Sequence, residues 1–144
     1  MTYSVREQIV EVVNRLFYYT DYQMWDELMR EVFAEDVHMD MTSLGAPKGE
    51  TLSAKTICQQ WKEGFSALDA IHHQPGNYIV KVDHDIAHVK AYAVATHYKS
   101  NAKNGTTRTF VGSYDFRLVN ITEGWRLNSF VFNLKYMEGN LELN

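Results

Sequence analysis

The chain reads as an α+β domain, because two hydrophobic periods divide it. Apolar residues recur at helical spacing up to about residue 65, and strands rich in Val, Tyr, Phe and Thr fill the remainder. Helices first and a run of strands afterwards fit an α+β architecture better than alternating βαβ units. With 144 residues, 45% of them hydrophobic, the chain is long enough for one self-sufficient core, so residues 1–144 are taken as one domain.

The first helix is announced by Ser4-Val5-Arg6-Glu7, a capping box. Val5, Ile9, Val12, Val13, Leu16 and Phe17 carry it to about Thr20. Asp21 precedes a second helical pattern, Met24, Trp25, Leu28, Met29 and Val32, ending near Phe33. Residues 36–41 alternate with period two and predict a short strand. Gly, Pro and Ser make 42–50 a loop, and Ile57, Trp61 and Phe65 stripe a third helix over 53–65.

Four long strands are predicted at 71–82, 86–99, 106–119 and 125–137. Asn104-Gly105 is the strongest hairpin signal, of the type I′ kind. Residues 83–85 and Glu123-Gly124 mark the other turns, and the tail 138–144 is expected to be loose. Strands this long must curve in so small a domain. Helices laid across the concave side then leave a conical space.

Composition removes several function classes. The net charge of -4 and the absence of any Lys/Arg cluster argue against nucleic acid, since phosphate binding needs grouped cations. Lys99, Lys103 and Arg108 read as a solvated hairpin tip. The single cysteine, Cys58, permits no internal disulfide and reads as a buried, inert thiol. Neither a signal-peptide h-region nor an 18-residue apolar run occurs, so the expectation is a cytoplasmic protein with no membrane partner. Aromatic residues reach 13%, enough for a large core, a lined pocket or a dimer face.

Asp36, His38 and Asp40 share a strand face, and Asp83, His84, Asp85 and His88 crowd a turn. Neither group has the spacing of a zinc site, so no metal is expected. There is no Gly-rich phosphate loop and no Gly-x-Ser-x-Gly elbow, so no cofactor is expected either.

The segment YYTDYQMWDELMREVFAEDVHMDM resembles the opening of SnoaL-like, NTF2-like proteins. Asp21 followed four residues later by Trp25, and Phe33-Ala34-Glu35-Asp36-Val37 before the first strand, carry the likeness. HHQPGNYIVKVDHDIAHVKAYAVATHYKS and the closing GWRL strand are similar to strands of the same family. The resemblance implies an NTF2-like cone: three N-terminal helices on a curved, mostly antiparallel sheet around a central pocket. It does not fix the reaction, because such folds host dehydratases, isomerases, cyclases, hydrolases and binding modules.

Within the family the pattern is most similar to the scytalone dehydratase branch. That likeness implies a catalytic set of Asp21, His72 and His97, the histidines 25 residues apart on successive strands. Thr20 and Met41 stand where that enzyme has tyrosines. A carboxylate bonded to one imidazole nitrogen fixes the tautomer and frees the other nitrogen as a base, so Asp21 and His97 are the expected pair. Asp is also a favoured helix cap, and Asp21 is open to that simpler role.

His97 shares a face with Ala87, Val89, Ala91, Ala93 and Ala95, small side chains that leave room for a ligand. His72 and His73 point to opposite faces of their strand. The spacing places His72 in the site and His73 outside it. Tyr18, one turn before Asp21, is the expected phenol donor. Ser113, Asn133 and Trp61 complete the expected substrate contacts.

Two function classes follow. One is a cofactor-independent lyase or isomerase acting on a small apolar or hydroxy-ketone ligand. The other is a non-catalytic binding module or dimeric accessory subunit. A homodimer or higher homo-oligomer suits both.

Overall fold

Ser4 opens the first helix by the expected reciprocal bonds. Its hydroxyl accepts the Glu7 N–H at 3.1 Å, and the Glu7 carboxylate accepts the Ser4 N–H at 2.6 Å. The computed structural model describes residues 2–144. Helix α1 (Val5–Asp21) buries Ile9, Val12, Val13, Leu16, Phe17 and Thr20, one stripe at helical spacing.

Asp21 is the last residue of α1 and caps nothing, a correction to the expected second helix. That helix shrinks to α2 (Trp25–Glu27), continued by a π-helical turn (Leu28–Val32). Gln23 takes a positive φ of 55° between the two helices, and Met24 offers α2 no side-chain cap. The widened turn buries Leu28 and Val32 together.

Strand β1 (Phe33–Asp40) follows, longer at its start than predicted. A 3₁₀ turn (Thr42–Leu44) and strand β2 (Glu50–Ser53) occupy the expected loop. Strand β2 is missed by patterning because its residues are half-exposed and paired on one side only. Helix α3 (Ala54–Gly64) is capped by the Ser53 hydroxyl. Strands β3 (Ala70–Asp83), β4 (Ile86–Tyr98), β5 (Thr107–Ile121) and β6 (Gly124–Gly139) match the four predicted strands closely.

The six strands form one sheet in the order β2-β1-β6-β5-β4-β3. All pairs are antiparallel except β1 with β6, which is parallel. Register shifts at Gly76/Ile79 in β3 and at Val111/Gly112 in β5 bend the long strands. Gly112 is sterically required: a Cβ there would come within 2.7 Å of the Phe132 ring.

Two further expectations fail. Among the non-glycine residues of the 99–106 connection none has a positive φ, so Asn104-Gly105 is not a type I′ turn. Lys99 N–H reaches Thr106 O across a wider loop that ends at Gly105. The tail is not loose: Leu143 is 3% exposed, and Asn104 N–H donates to Asn144 O at 3.1 Å. The loop gives up the tight turn because it docks the tail.

Candidate functional site

Period two along β3 decides which histidine enters the fold. Ile71 is 6% exposed and must lie inside, so His73 shares its face and His72 does not. His72 is exposed, with its ring near Gln74 at 3.3 Å. This reverses the expected placement of the two neighbours. The signal was available in the apolar residue two positions before His73.

Helix α1 ends against β3, and its last residue reaches the strand. Asp21 Oδ2 accepts the His73 backbone N–H at 2.8 Å, and Asp21 Oδ1 lies 2.5 Å from His73 Nδ1. Both side chains are 11% exposed. An ionised carboxylate can only accept, so Nδ1 carries the proton and Nε2 of the neutral ring presents its lone pair. The Phe17 ring fixes the other side of the imidazole, its centroid 5.2 Å away.

The expected partner, His97, makes no bond to Asp21. It sits opposite Ile71, while His73 sits opposite Ala95, so the two histidines are diagonal neighbours, roughly 7–8 Å apart at the backbone. Arg108 Nε donates to His97 Nδ1 at 3.0 Å. A guanidinium can only donate, so a neutral His97 carries its proton on Nε2. Burial first, then the Arg108 cation and His73, lower the His97 pKa to about 4. Near pH 7 His97 is therefore neutral, with Nε2–H as a hydrogen-bond donor. Arg108 is steadied by the tail through a bond from Nη1 to Leu141 O at 3.0 Å. The expectation of a solvated hairpin tip fails for this residue.

Both histidines line one cavity of about 280 Å³. Its walls are otherwise largely apolar: Phe17 from α1, Trp61 and Phe65 near the end of α3, Ala95 from β4, and Phe110, Tyr114, Phe130 and Phe132 from β5 and β6. Met41 and Leu44 border it from the turn after β1. That turn is pinned by Ser43, whose hydroxyl donates to Phe132 O at 2.6 Å and accepts the Leu134 N–H at 3.0 Å. Of the small residues on the inner face of β4, Ala95 lines the space.

Trp61 lines the cavity, packed edge-on to Phe33 and Phe130. Ser113 and Asn133 do not. They lie on the opposite face of the sheet, where Asn133 donates to Asp115 at 3.0 Å. Tyr114 and Phe132, next to them in sequence, take the inward positions. Tyr18 is 60% exposed and borders an outer groove of about 700 Å³ with Tyr22 and His72. Asp21 and His73 border that groove, so His73 stands between the two spaces. Cys58 is buried beside α2, its pKa pushed up to about 11 by burial and by Asp26.

The sequence profile described as a SnoaL-like domain matches residues 1–131. The chain belongs to this family. No curated protein matches it. Among solved structures, the Kfla4162 protein from Kribbella flavida is similar at 28% identity and a TM-score of 0.91, covering 96% of this chain and 95% of that one. A scytalone dehydratase-like protein from Novosphingobium aromaticivorans is similar at 16% identity and a TM-score of 0.80, covering 94% and 87%. A hexachlorocyclohexane dehydrochlorinase from Novosphingobium barchaimii is similar at 9% identity and a TM-score of 0.76, covering 94% and 90%. Among the latter two the likeness is one of fold. An NTF2-like superfamily protein from Salmonella enterica shares it as well. No helix among the described residues is long and apolar enough to cross a membrane.

Proposed function

We propose that this SnoaL-like domain is a cofactor-independent lyase or isomerase for a small, largely apolar compound bearing a carbonyl. The observation that carries the reading is the Asp21–His73 pair, with His73 in the wall of an apolar cavity and no hydrogen bond to its Nε2 among the described residues. His73 removes a proton from carbon next to the carbonyl, and Asp21 stabilises the imidazolium. His97 Nε2–H donates to the oxygen on which negative charge develops. In a dehydration, the carbon–oxygen bond at the β position breaks, a C=C bond forms, and the imidazolium proton leaves with the hydroxyl as water. In an isomerisation the same proton returns to a different carbon. Either cycle restores the starting protein, with no oxidant or reductant.

Two relatives of the same fold bear names of elimination enzymes, a dehydratase and a dehydrochlorinase. The reading agrees with that class and does not depend on either substrate. The test is conversion of 4-hydroxy-4-phenylbutan-2-one and related β-hydroxy ketones to the conjugated enones, followed by absorbance. Wild-type turnover that falls by roughly 10²–10⁴ in His73→Ala and Asp21→Asn is expected. Turnover unchanged in both variants would discard the base assignment. Binding without product across the series would favour the alternative, a non-catalytic binding module.

A second copy of the chain is the proposed partner. The outer sheet face exposes Tyr92, Val94 and Tyr136, at 49%, 42% and 53%. These suit pairing of two sheets. Light scattering giving the mass of one chain would reject it.

A further inference from the structure

Tyr114 is a phenol where a phenylalanine would pack as well. Its ring is enclosed by four others: Phe17 at 5.3 Å, Phe116 stacked at 5.3 Å, Phe130 at 5.3 Å and Phe132 at 4.8 Å. The residue is 5% exposed. A tyrosine hydroxyl inside a fold normally finds a partner, and this one opens to the cavity, since among the described residues the fully buried unpartnered polar atom is Asp115 Oδ1. Thr20, the other buried polar residue of this region, obeys that rule by donating to Leu16 O at 2.6 Å. The half-buried Tyr78 also has a partner, donating to Asn14. Among the described residues Tyr114 makes no such bond, and it forms part of the cavity wall beside His73 and His97.

The neighbouring carboxylate does not serve it. Both oxygens of Asp21 are engaged by His73. Burial first, and then the charge of Asp21, raise the Tyr114 pKa, so the phenol keeps its proton at any ordinary pH. It is therefore a donor held ready in an apolar space, with Phe17 between it and His73.

We propose that Tyr114 is a ligand-binding residue whose hydroxyl donates to an oxygen acceptor of the bound compound. The ligand thus carries an acceptor at the Tyr114 end of the cavity in addition to the group handled at His73 and His97. The inference rests on the reading of this cavity as a ligand site. It also accounts for the selection of Tyr over Phe, which packing alone does not. A purely apolar ligand would leave the phenol unpaired and bind less well than a ketone of equal shape.

The test uses two probes of matched shape, acetophenone and ethylbenzene, on wild type and on Tyr114→Phe. Binding is read from chemical-shift changes in NMR titrations. Wild type is expected to prefer acetophenone, and Tyr114→Phe to lose about tenfold of that preference, about 1.4 kcal/mol. The melting temperature of Tyr114→Phe should be little changed, because the hydroxyl removed has no protein partner among the described residues. A preference equal in both proteins would overturn the inference, as would the absence of saturable acetophenone binding to wild type. A melting temperature several degrees lower would also overturn it, since the hydroxyl would then have a partner within the protein. His73→Ala separates this inference from the catalytic one. Loss of turnover with an intact acetophenone preference concerns His73 alone, and the reverse concerns Tyr114 alone.

Discussion

Asp21 holds His73 twice, by the ring at 2.5 Å and by the backbone N–H at 2.8 Å. One carboxylate therefore fixes the end of a helix, the position of a strand and the tautomer of an imidazole. Replacing it should disturb all three. Asp21→Ala is expected to lose on the order of 1–3 kcal/mol in urea unfolding, since it strands a buried donor. In Asp21→Asn the ¹⁵N resonances of the His73 imidazole should move, with those of exposed His72 unmoved. A response at His72 in place of His73 would contradict the pairing.

Acid should destabilise the fold through His97. Burial, Arg108 and His73 hold its folded pKa at about 4, against 6.5 for an unperturbed histidine. Between those values the unfolded chain binds a proton that the folded chain refuses, so stability rises with pH in that window. The contribution is fully present above about pH 6.5 and is lost as pH falls toward 4. It amounts to on the order of 3 kcal/mol. Urea unfolding from pH 4 to 7 should have a shallower slope in His97→Gln. Parallel curves for the two proteins would count against a buried, neutral His97.

The tail should matter to the site although it lies outside the cavity. Leu141 O steadies Arg108, and Arg108 Nε fixes His97. Removing residues 140–144 also exposes the pocket of Leu143, which is worth roughly 1.5–3 kcal/mol when fully buried. A lower melting temperature and an altered His97 tautomer signal in ¹⁵N spectra are expected. In Arg108→Ala the His97 pKa should rise, because a nearby cation disfavours the imidazolium. No rise would mean that burial alone sets it.

Gly112 should accept no side chain. A Cβ would meet the Phe132 ring at 2.7 Å, and Phe132 is 3% exposed in the cavity wall. Gly112→Ala is expected to cost about 1–3 kcal/mol and to alter the cavity. Ser113→Ala, one position away on the outer face, should leave acetophenone binding unchanged. Equal effects from the two would mean that the faces of β5 had been assigned wrongly.

The sequence by itself determined the α+β order, the helix start at Ser4, the four long strands and the small-residue face of β4. Each follows from local periodicity, capping chemistry or side-chain size, which act within a few residues. It also held the parity of β3, since Ile71 must be inside and His73 lies two residues on. Spacing between histidines obscured that parity and pointed to His72. Only tertiary structure decided the partners. Asp21 and His73 stand 52 residues apart, and the pair forms because α1 ends against β3. His97 became a donor through Arg108, itself steadied by a tail that local composition marked as loose. Ser113, an expected substrate contact, faces outward and Tyr114 takes the cavity wall because strand register places every second residue outside, and register is set by the whole sheet.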